Sequence, residues 1–214
     1  RDAGKAPAIL ESLPQNTRRT DALDAEQIAG WWTGTEQLSN RTASVYLRAL
    51  LLTGARREEM AALRWQDVDF RWRKLTIADK VEMTRTIPLT PYLAQLLATL
   101  PRVGPYVFAS TGKAGRIVDA RASHDQVLEH AQVKHLTFHG LRRTFIRQGR
   151  NIAPLGVPAQ MAGHTPSAVA DGYAILPMDE LRPHAERVEA HILSLAGVQF
   201  DAQAEPGALR VVAG

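Results

Sequence analysis

The sequence predicts a mainly α-helical domain carrying a small antiparallel β-sheet, an α+β fold. Apolar residues recur at helical spacing along most of the chain, densely so at Val45, Leu47, Leu50, Leu51 and Leu52. The spacing changes to two at Leu75 and Ile77, and residues 84–89 offer a second strand to pair with them. Prolines, glycines and short polar caps fall where these periods begin and end.

Composition limits the function classes. A chain of 214 residues, 45% of them hydrophobic, can bury one large core or two small ones. Its formal charge of +4 is a mild bias towards an anionic partner. Cysteine is absent, which excludes disulfides, thiolate nucleophiles and Cys-ligated metals. No apolar run approaches the ~18 residues that cross a bilayer and no signal peptide is visible, so a soluble, cytoplasmic protein with no membrane partner is expected.

Residues 1–20 mix Gly4, Pro7 and Pro14 with Lys5, Arg18 and Arg19 and read as a linker. Asp24, with Gln27 completing a capping box, starts a helix through Ile28, Trp31 and Trp32, and the tryptophan pair reads as core. From about residue 42 to residue 53 the helix is apolar nearly all round, which marks it as central and buried. Gly54 allows the sharp stop. Arg56 then falls in the first turn of a short helix, where the helix dipole opposes a cation, so local stability gives no reason for it. Glu59, one turn on, is placed to fix that guanidinium by a bidentate pair, although the two alone read equally well as an exposed ion pair. Lys80 lies in the connection between the strands, where a lysine taken alone reads as solvated surface.

Thr90 is placed to cap a helix that begins at Pro91 and runs through Leu93, Leu96, Leu97 and Leu100. Residues 106–108 offer a short strand, and residues 110–116 a flexible basic loop whose glycines lack the spacing of a P-loop. A helix from about residue 119 to 132 turns Val127 and Leu128 inward, while His124, His130 and His135 read as surface or core. The next helix, from His139 to about Gly149, turns Leu141 and Phe145 to the core and leaves His139 and Arg142 together on another face. Gly140 marks its entrance, where free backbone N–H groups meet an anion. Residues 159–162 form a short helix ended by Gly163. His164 follows, and Thr165, Pro166 and Ser167 start a helix on which Tyr173 falls. A last helix spans about residues 179–196, and the tail beyond it is aperiodic.

If Arg56 joins His139, Arg142, His164 and Tyr173 in one pocket, two guanidiniums, two imidazoles and a phenol converge, and that is phosphate chemistry. Thr53-Gly54-Ala55-Arg56 with Glu59, then His139-Gly140-Leu141-Arg142, then Gly163-His164 with Tyr173 nine positions on, resemble the tyrosine recombinase family, phage integrases included, in order, spacing and residue type. The resemblance runs over roughly residues 20–197, and Trp31-Trp32 is similar to the opening of genomic-island integrases. It also lifts Lys80 above the solvated reading, because the family carries a lysine in a β-hairpin upstream of an Arg-x-x-Pro-Leu-like strand, here Arg85, Pro88 and Leu89. Ala162 stands where the family usually has leucine, a small change in packing beside the histidine.

The resemblance implies the tyrosine recombinase catalytic-domain fold over residues 21–197, preceded by the 1–20 linker and followed by a 198–214 tail that docks on itself or on a neighbouring protomer. Since such integrases usually carry a helical DNA-binding domain ahead of the catalytic one, an isolated catalytic domain is expected. The implied activity is site-specific DNA recombination, integration or excision, through a 3′-phosphotyrosyl intermediate. In it Tyr173 is the nucleophile, Arg56 and Arg142 clamp the phosphate, His139 takes and returns the phenol proton, His164 hydrogen-bonds the phosphate, Lys80 protonates the leaving 5′-oxygen and Glu59 orients Arg56. No metal, cofactor or ATP is required. The implied partners are double-stranded DNA attachment sites in the nucleoid and further copies of the chain, four to a synaptic complex. Arg18, Arg19, Lys113, Arg116, Arg143 and Arg147 are candidates for backbone phosphate contacts. Two rival outcomes share the residue set: type IB topoisomerase-like relaxation of supercoils, and a catalytically silent DNA-binding regulator.

Overall fold

Helix α2 (Arg41–Thr53) is the axis of the molecule, as its all-round apolarity predicts: every residue from Ala43 to Thr53 is buried. Asn40 caps its start by accepting from the Ala43 N–H at 3.0 Å, and Gly54 ends it in the left-handed region at φ 63°. Around it pack α1 (Ala25–Glu36), α3 (Arg57–Ala61), α4 (Pro91–Ala98), α5 (Arg121–His130) and α6 (Phe138–Arg150). Helix α7 (Val157–Ala162) lies against α6, and α8 (Met178–Leu195) against α1, α6 and α7. The computed structural model describes residues 21–79, 83–154, 156–163 and 175–201.

The sheet is three-stranded and antiparallel in the order β1 (Val68–Asp69), β2 (Lys74–Asp79), β3 (Met83–Pro88). Its short edge strand β1 follows a single 3₁₀ turn, Trp65–Asp67, and neither is legible from the period of the sequence. Leu75 pairs with Ile87 and Ile77 with Arg85, so the buried face of β2 and β3 is apolar except at Arg85. The strand expected at residues 106–108 reduces to one bridge, Arg64 to Tyr106, because only a short extended segment after α3 runs beside it. In the basic loop, Ala109 and Arg116 form a second isolated bridge.

Two helix starts differ from expectation. Gln27 does accept from the Asp24 N–H at 2.9 Å, but the Asp24 carboxylate pairs with Arg147 at 3.0 Å instead of capping α1. Arg147 also donates to the Leu23 carbonyl, and Arg143 to both the backbone and carboxylate of Asp21. These arginines, candidates for DNA phosphates, tie residues 21–24 onto α6. At α4, Thr90 does not cap. Glu189 of α8 reaches across and accepts from the Tyr92 and Leu93 N–H groups at 2.9 and 3.0 Å and from the Thr90 hydroxyl. The orphan donors of one helix are thus satisfied by a buried carboxyl of another.

Trp31 and Trp32 are both core residues, and His124 joins them, stacked on Phe138 with ring centroids 4.9 Å apart. His124 is 3% exposed and its Nε2 has no hydrogen-bond partner. Burial therefore pushes its pKa down to about 4, while burial pushes Glu189 up to about 7 against its three donors. The two act on stability with opposite sign. Between about pH 4 and 6.5 the unfolded chain binds a proton at His124 that the fold refuses, so stability falls on acidification. Between about pH 4.5 and 7 the fold keeps a proton at Glu189 that the unfolded chain has lost, so stability falls as pH rises. Each contribution is on the order of 3 kcal/mol. Urea unfolding of the wild type should therefore be nearly flat from pH 5 to 6.5, whereas Glu189→Gln should lose stability towards acid and His124→Leu towards neutrality. Parallel slopes in the two variants would remove this account. Among the described residues no helix is long and apolar enough to cross a membrane.

Candidate active site

Three chain segments meet at the C-terminal end of α7. Gly163 ends that helix at φ 76°, a left-handed turn that presents the carbonyls of Ala162 and Gly163 side by side in sequence. Arg142, on α6, donates one guanidinium N–H to the Gly54 carbonyl at 2.8 Å and to the Ala162 carbonyl. Arg56 donates to the Gly163 carbonyl at 3.2 Å. Two cations separated by 86 positions in the chain thus reach consecutive peptide groups, immediately before His164 in sequence. The glycine stop of α2 contributes directly, since Gly54 both turns the chain towards Arg56 and accepts from Arg142. A Cβ on Gly54 would lie 2.5 Å from the Phe145 ring, so any side chain there displaces the α6 contact as well.

Arg56 does not sit inside α3 as expected. Its backbone is extended (φ −71°, ψ 148°) and it occupies the position just ahead of the helix. From there its N–H donates to Glu59 Oε2 at 2.9 Å and its guanidinium to Glu59 Oε1 at 2.6 Å. The helix-dipole penalty on a cation is met by a carboxylate in the first turn. The expected bidentate fork between Glu59 and the Arg56 guanidinium is replaced by a bridge, because Arg85 of β3 donates to Glu59 Oε2 at 2.8 Å. With its side chain 8% exposed, Glu59 is not a solvated partner. Burial alone would raise its pKa, yet the hydrogen bonds from Arg85 and Arg56 outweigh it and hold the carboxyl below its usual range.

The α6 entrance also differs. Thr137 is the cap, accepting from the Gly140 N–H at 3.0 Å, and the Asp21 carboxylate accepts from both the N–H (2.9 Å) and the hydroxyl (2.6 Å) of Thr137. A Cβ on Gly140 would come within 2.8 Å of that carboxylate. A side chain of the protein therefore fills the helix N-terminus where an external anion was expected. His139, one residue into α6, is exposed. Partial burial and the charges of Arg142 and Arg56 hold its imidazole below the usual pKa, so it is neutral at pH 7 and can accept a proton.

Of the residues singled out from the sequence, the structure brings together Arg56, Glu59, His139 and Arg142. Lys80, His164 and Tyr173 lie outside the described residues. Arg85 joins Arg56, Glu59, His139 and Arg142 although the sequence alone does not place it in the site; its signal is its position in the Arg-x-x-Pro-Leu strand downstream of Lys80. Among the described residues, no group of three or more His, Asp or Glu side chains is arranged to hold a metal ion.

Residues 20–178 match the phage integrase family. The chain is 43% identical over 191 residues to prophage integrase IntF of Escherichia coli (strain K12), a match that takes in 85% of this chain and 41% of the relative. Among solved structures, the catalytic domain of bacteriophage HP1 integrase aligns with a TM-score of 0.53 at 19% identity, covering 86% of this chain and 97% of that one. A lambda integrase tetramer bound to a Holliday junction aligns at 0.55 and 17%, covering 72% of this chain and 50% of that one. At such identities these two report the fold alone, and it is that of integrase catalytic domains. The family match takes in Arg56, Arg142, His164 and Tyr173 within a single span, and on it the chain belongs to the phage integrase family.

Proposed function

We propose that this chain cleaves and rejoins double-stranded DNA in site-specific recombination, through a 3′-phosphotyrosyl intermediate and without a metal ion. The observation that carries the reading is the convergence of Arg56 and Arg142 on the Gly163 and Ala162 carbonyls. Planar guanidiniums so held suit the non-bridging oxygens of one phosphate. In cleavage the Tyr173 oxygen forms a bond to phosphorus as the bond from phosphorus to the 5′-oxygen breaks. The phenol proton passes to His139, and Lys80 supplies one to the departing 5′-oxygen. Attack by a 5′-hydroxyl reverses the step and frees Tyr173. His164 donates to the phosphate, and Glu59 keeps Arg56 aimed at it.

The partners follow from the same chemistry. Strand exchange joins two duplexes and needs an active site for each strand, so a tetramer of this chain is the working unit, an arrangement supported by the fold neighbour crystallised as a tetramer on a Holliday junction. Membership of an integrase family favours strand exchange over simple supercoil relaxation. Residues 21–197 are the catalytic unit on this reading, and Phe200, packed at 5.1 Å on the Tyr92 ring, begins the tail on its own protomer.

A pool of randomised duplexes, each nicked so that the cut strand diffuses away, tests this without knowledge of the attachment sequence. The chain should form an SDS-resistant DNA adduct without added metal, and the modified peptide should contain Tyr173. A pool that yields no adduct, or one on another residue, removes the reading. The acidic limb of adduct formation at subsaturating DNA should lie below the ordinary imidazole range, because burial and the charges of Arg142 and Arg56 hold the His139 imidazole down. An acidic limb centred above pH 6.5 would exclude His139 as the proton acceptor.

A further inference from the structure

Arg85 stands where the sheet calls for an apolar residue. On β3, Thr84 and Thr86 face solvent, while Ile87 and Arg85 turn inward opposite Leu75 and Ile77 of β2. A buried ion pair is seldom more stabilising than well-packed apolar side chains of the same size, so stability alone does not explain an arginine 8% exposed. Its contacts suggest another reason. It donates to Glu59 Oε2 at 2.8 Å, leaving the guanidinium of Arg56 to Oε1. Its guanidinium also lies flush with Gly163, where an added Cβ would come within 2.7 Å of the Arg85 Cζ.

We propose that Arg85 is a positioning residue for the phosphate pocket. By sharing Glu59 Oε2 with the Arg56 N–H it keeps that carboxylate from closing a two-pronged fork on the Arg56 guanidinium, and beneath Gly163 it supports the residue whose carbonyl Arg56 reaches. With one carboxylate shared between two guanidiniums, the trio keeps a net positive charge, and Arg56 keeps one edge turned towards Gly163 and the phosphate. Without Arg85, Arg56 and Glu59 become a closed neutral pair. Because β3 is the strand returning from the Lys80 connection, Arg85 also links that hairpin to the phosphate clamp. This inference rests on the recombinase reading and names a part of the same site.

The test is a double-substitution cycle on the full chain, read as single-turnover adduct formation on a nicked duplex recovered from the randomised pool, with duplex affinity and melting temperature measured beside it. Arg85→Met, which keeps length and suits the inward face, should slow cleavage about 10- to 100-fold, the scale of a small misplacement of a reacting group. Duplex affinity should stay within about twofold. Glu59→Gln slows the wild type, but added to Arg85→Met it should cause no further loss, since the carboxylate has by then lost its bridge to Arg85 and forks the Arg56 guanidinium, while a glutamine oxygen can still accept from the Arg56 N–H. Arg85→Lys keeps the charge but lacks the flat face beneath Gly163, and should be about 5- to 10-fold slow with an unchanged melting temperature. Wild-type rates in Arg85→Met, or losses that multiply in the double variant, overturn the proposal. If the methionine variant does not fold, a lysine variant cleaving at the wild-type rate overturns it. Absence of any adduct from the wild type removes the recombinase reading itself, which is a different result from slow cleavage by the Arg85 variants alone.

Discussion

Tyr173→Phe should abolish the SDS-resistant DNA adduct while leaving duplex affinity within about twofold of wild type, because affinity resides in contacts to backbone phosphates and not in one hydroxyl. The chain has four tyrosines, and the other three are poorly suited to attack. Tyr46 is buried, donates its hydroxyl proton to the Arg57 carbonyl at 2.8 Å, and has its phenol pushed up by burial. Tyr92 is likewise pushed up by burial, with its ring against Trp32 and Phe200. Tyr106 is fixed by its backbone in the bridge to Arg64 and has its ring packed under that arginine, 5.3 Å from the centroid, away from a matching His-x-x-Arg or Gly-His station in sequence. A free phenol, with pKa near 10, attacks at neutral pH only when cations surround it, and on the proposed mechanism the Arg56 and Arg142 pair supplies them to Tyr173. An adduct that persists in Tyr173→Phe would shift the chemistry to another nucleophile. A variant that loses both adduct and affinity would instead make Tyr173 a binding residue.

What the sequence disclosed and what it hid separate along a physical line. Helices came through because their signals are local: the period through Leu47 and Leu51, the Gly54 stop, the Pro91 start and the Gly163 end all act within a turn or two. Of the candidate site residues, His139 and Arg142 were legible together because they share a face of one helix, and the structure sets Arg56 and its Glu59 partner beside them. Interactions that close across the chain were not legible. Glu189 caps α4 from 97 positions away, Asp21 fills the α6 entrance from 116 positions away, and Arg85 reaches Glu59 over 26 positions. In each case a charged side chain takes up a backbone group or a shared carboxylate that local reasoning had given to solvent, to a neighbouring threonine or to an incoming anion. Arg85 was the most readable of the three, since an arginine on the inward face of an alternating strand already departs from the pattern.

The two clamp arginines should be equal in catalysis and unequal in stability. Removal of either preorganised cation should cost a hundredfold or more in cleavage rate, about 3–4 kcal/mol of transition-state stabilisation. Arg142 is 2% exposed and holds the carbonyls of Gly54 and Ala162, so Arg142→Ala also strands two buried acceptors, at about 1–3 kcal/mol each. The Arg56 side chain is 43% exposed, and Glu59 keeps Arg85 when Arg56 is lost, so Arg56→Ala should change urea stability by no more than about 1 kcal/mol. Arg56→Lys restores charge but not the planar donor pair and should recover less than tenfold of the lost rate. Single-turnover cleavage and urea unfolding on the same preparations separate the two effects. If Arg56→Ala cleaved at the wild-type rate, the phosphate would not lie between the guanidiniums, and neither the depressed His139 nor the bridge through Glu59 would have a phosphate to serve.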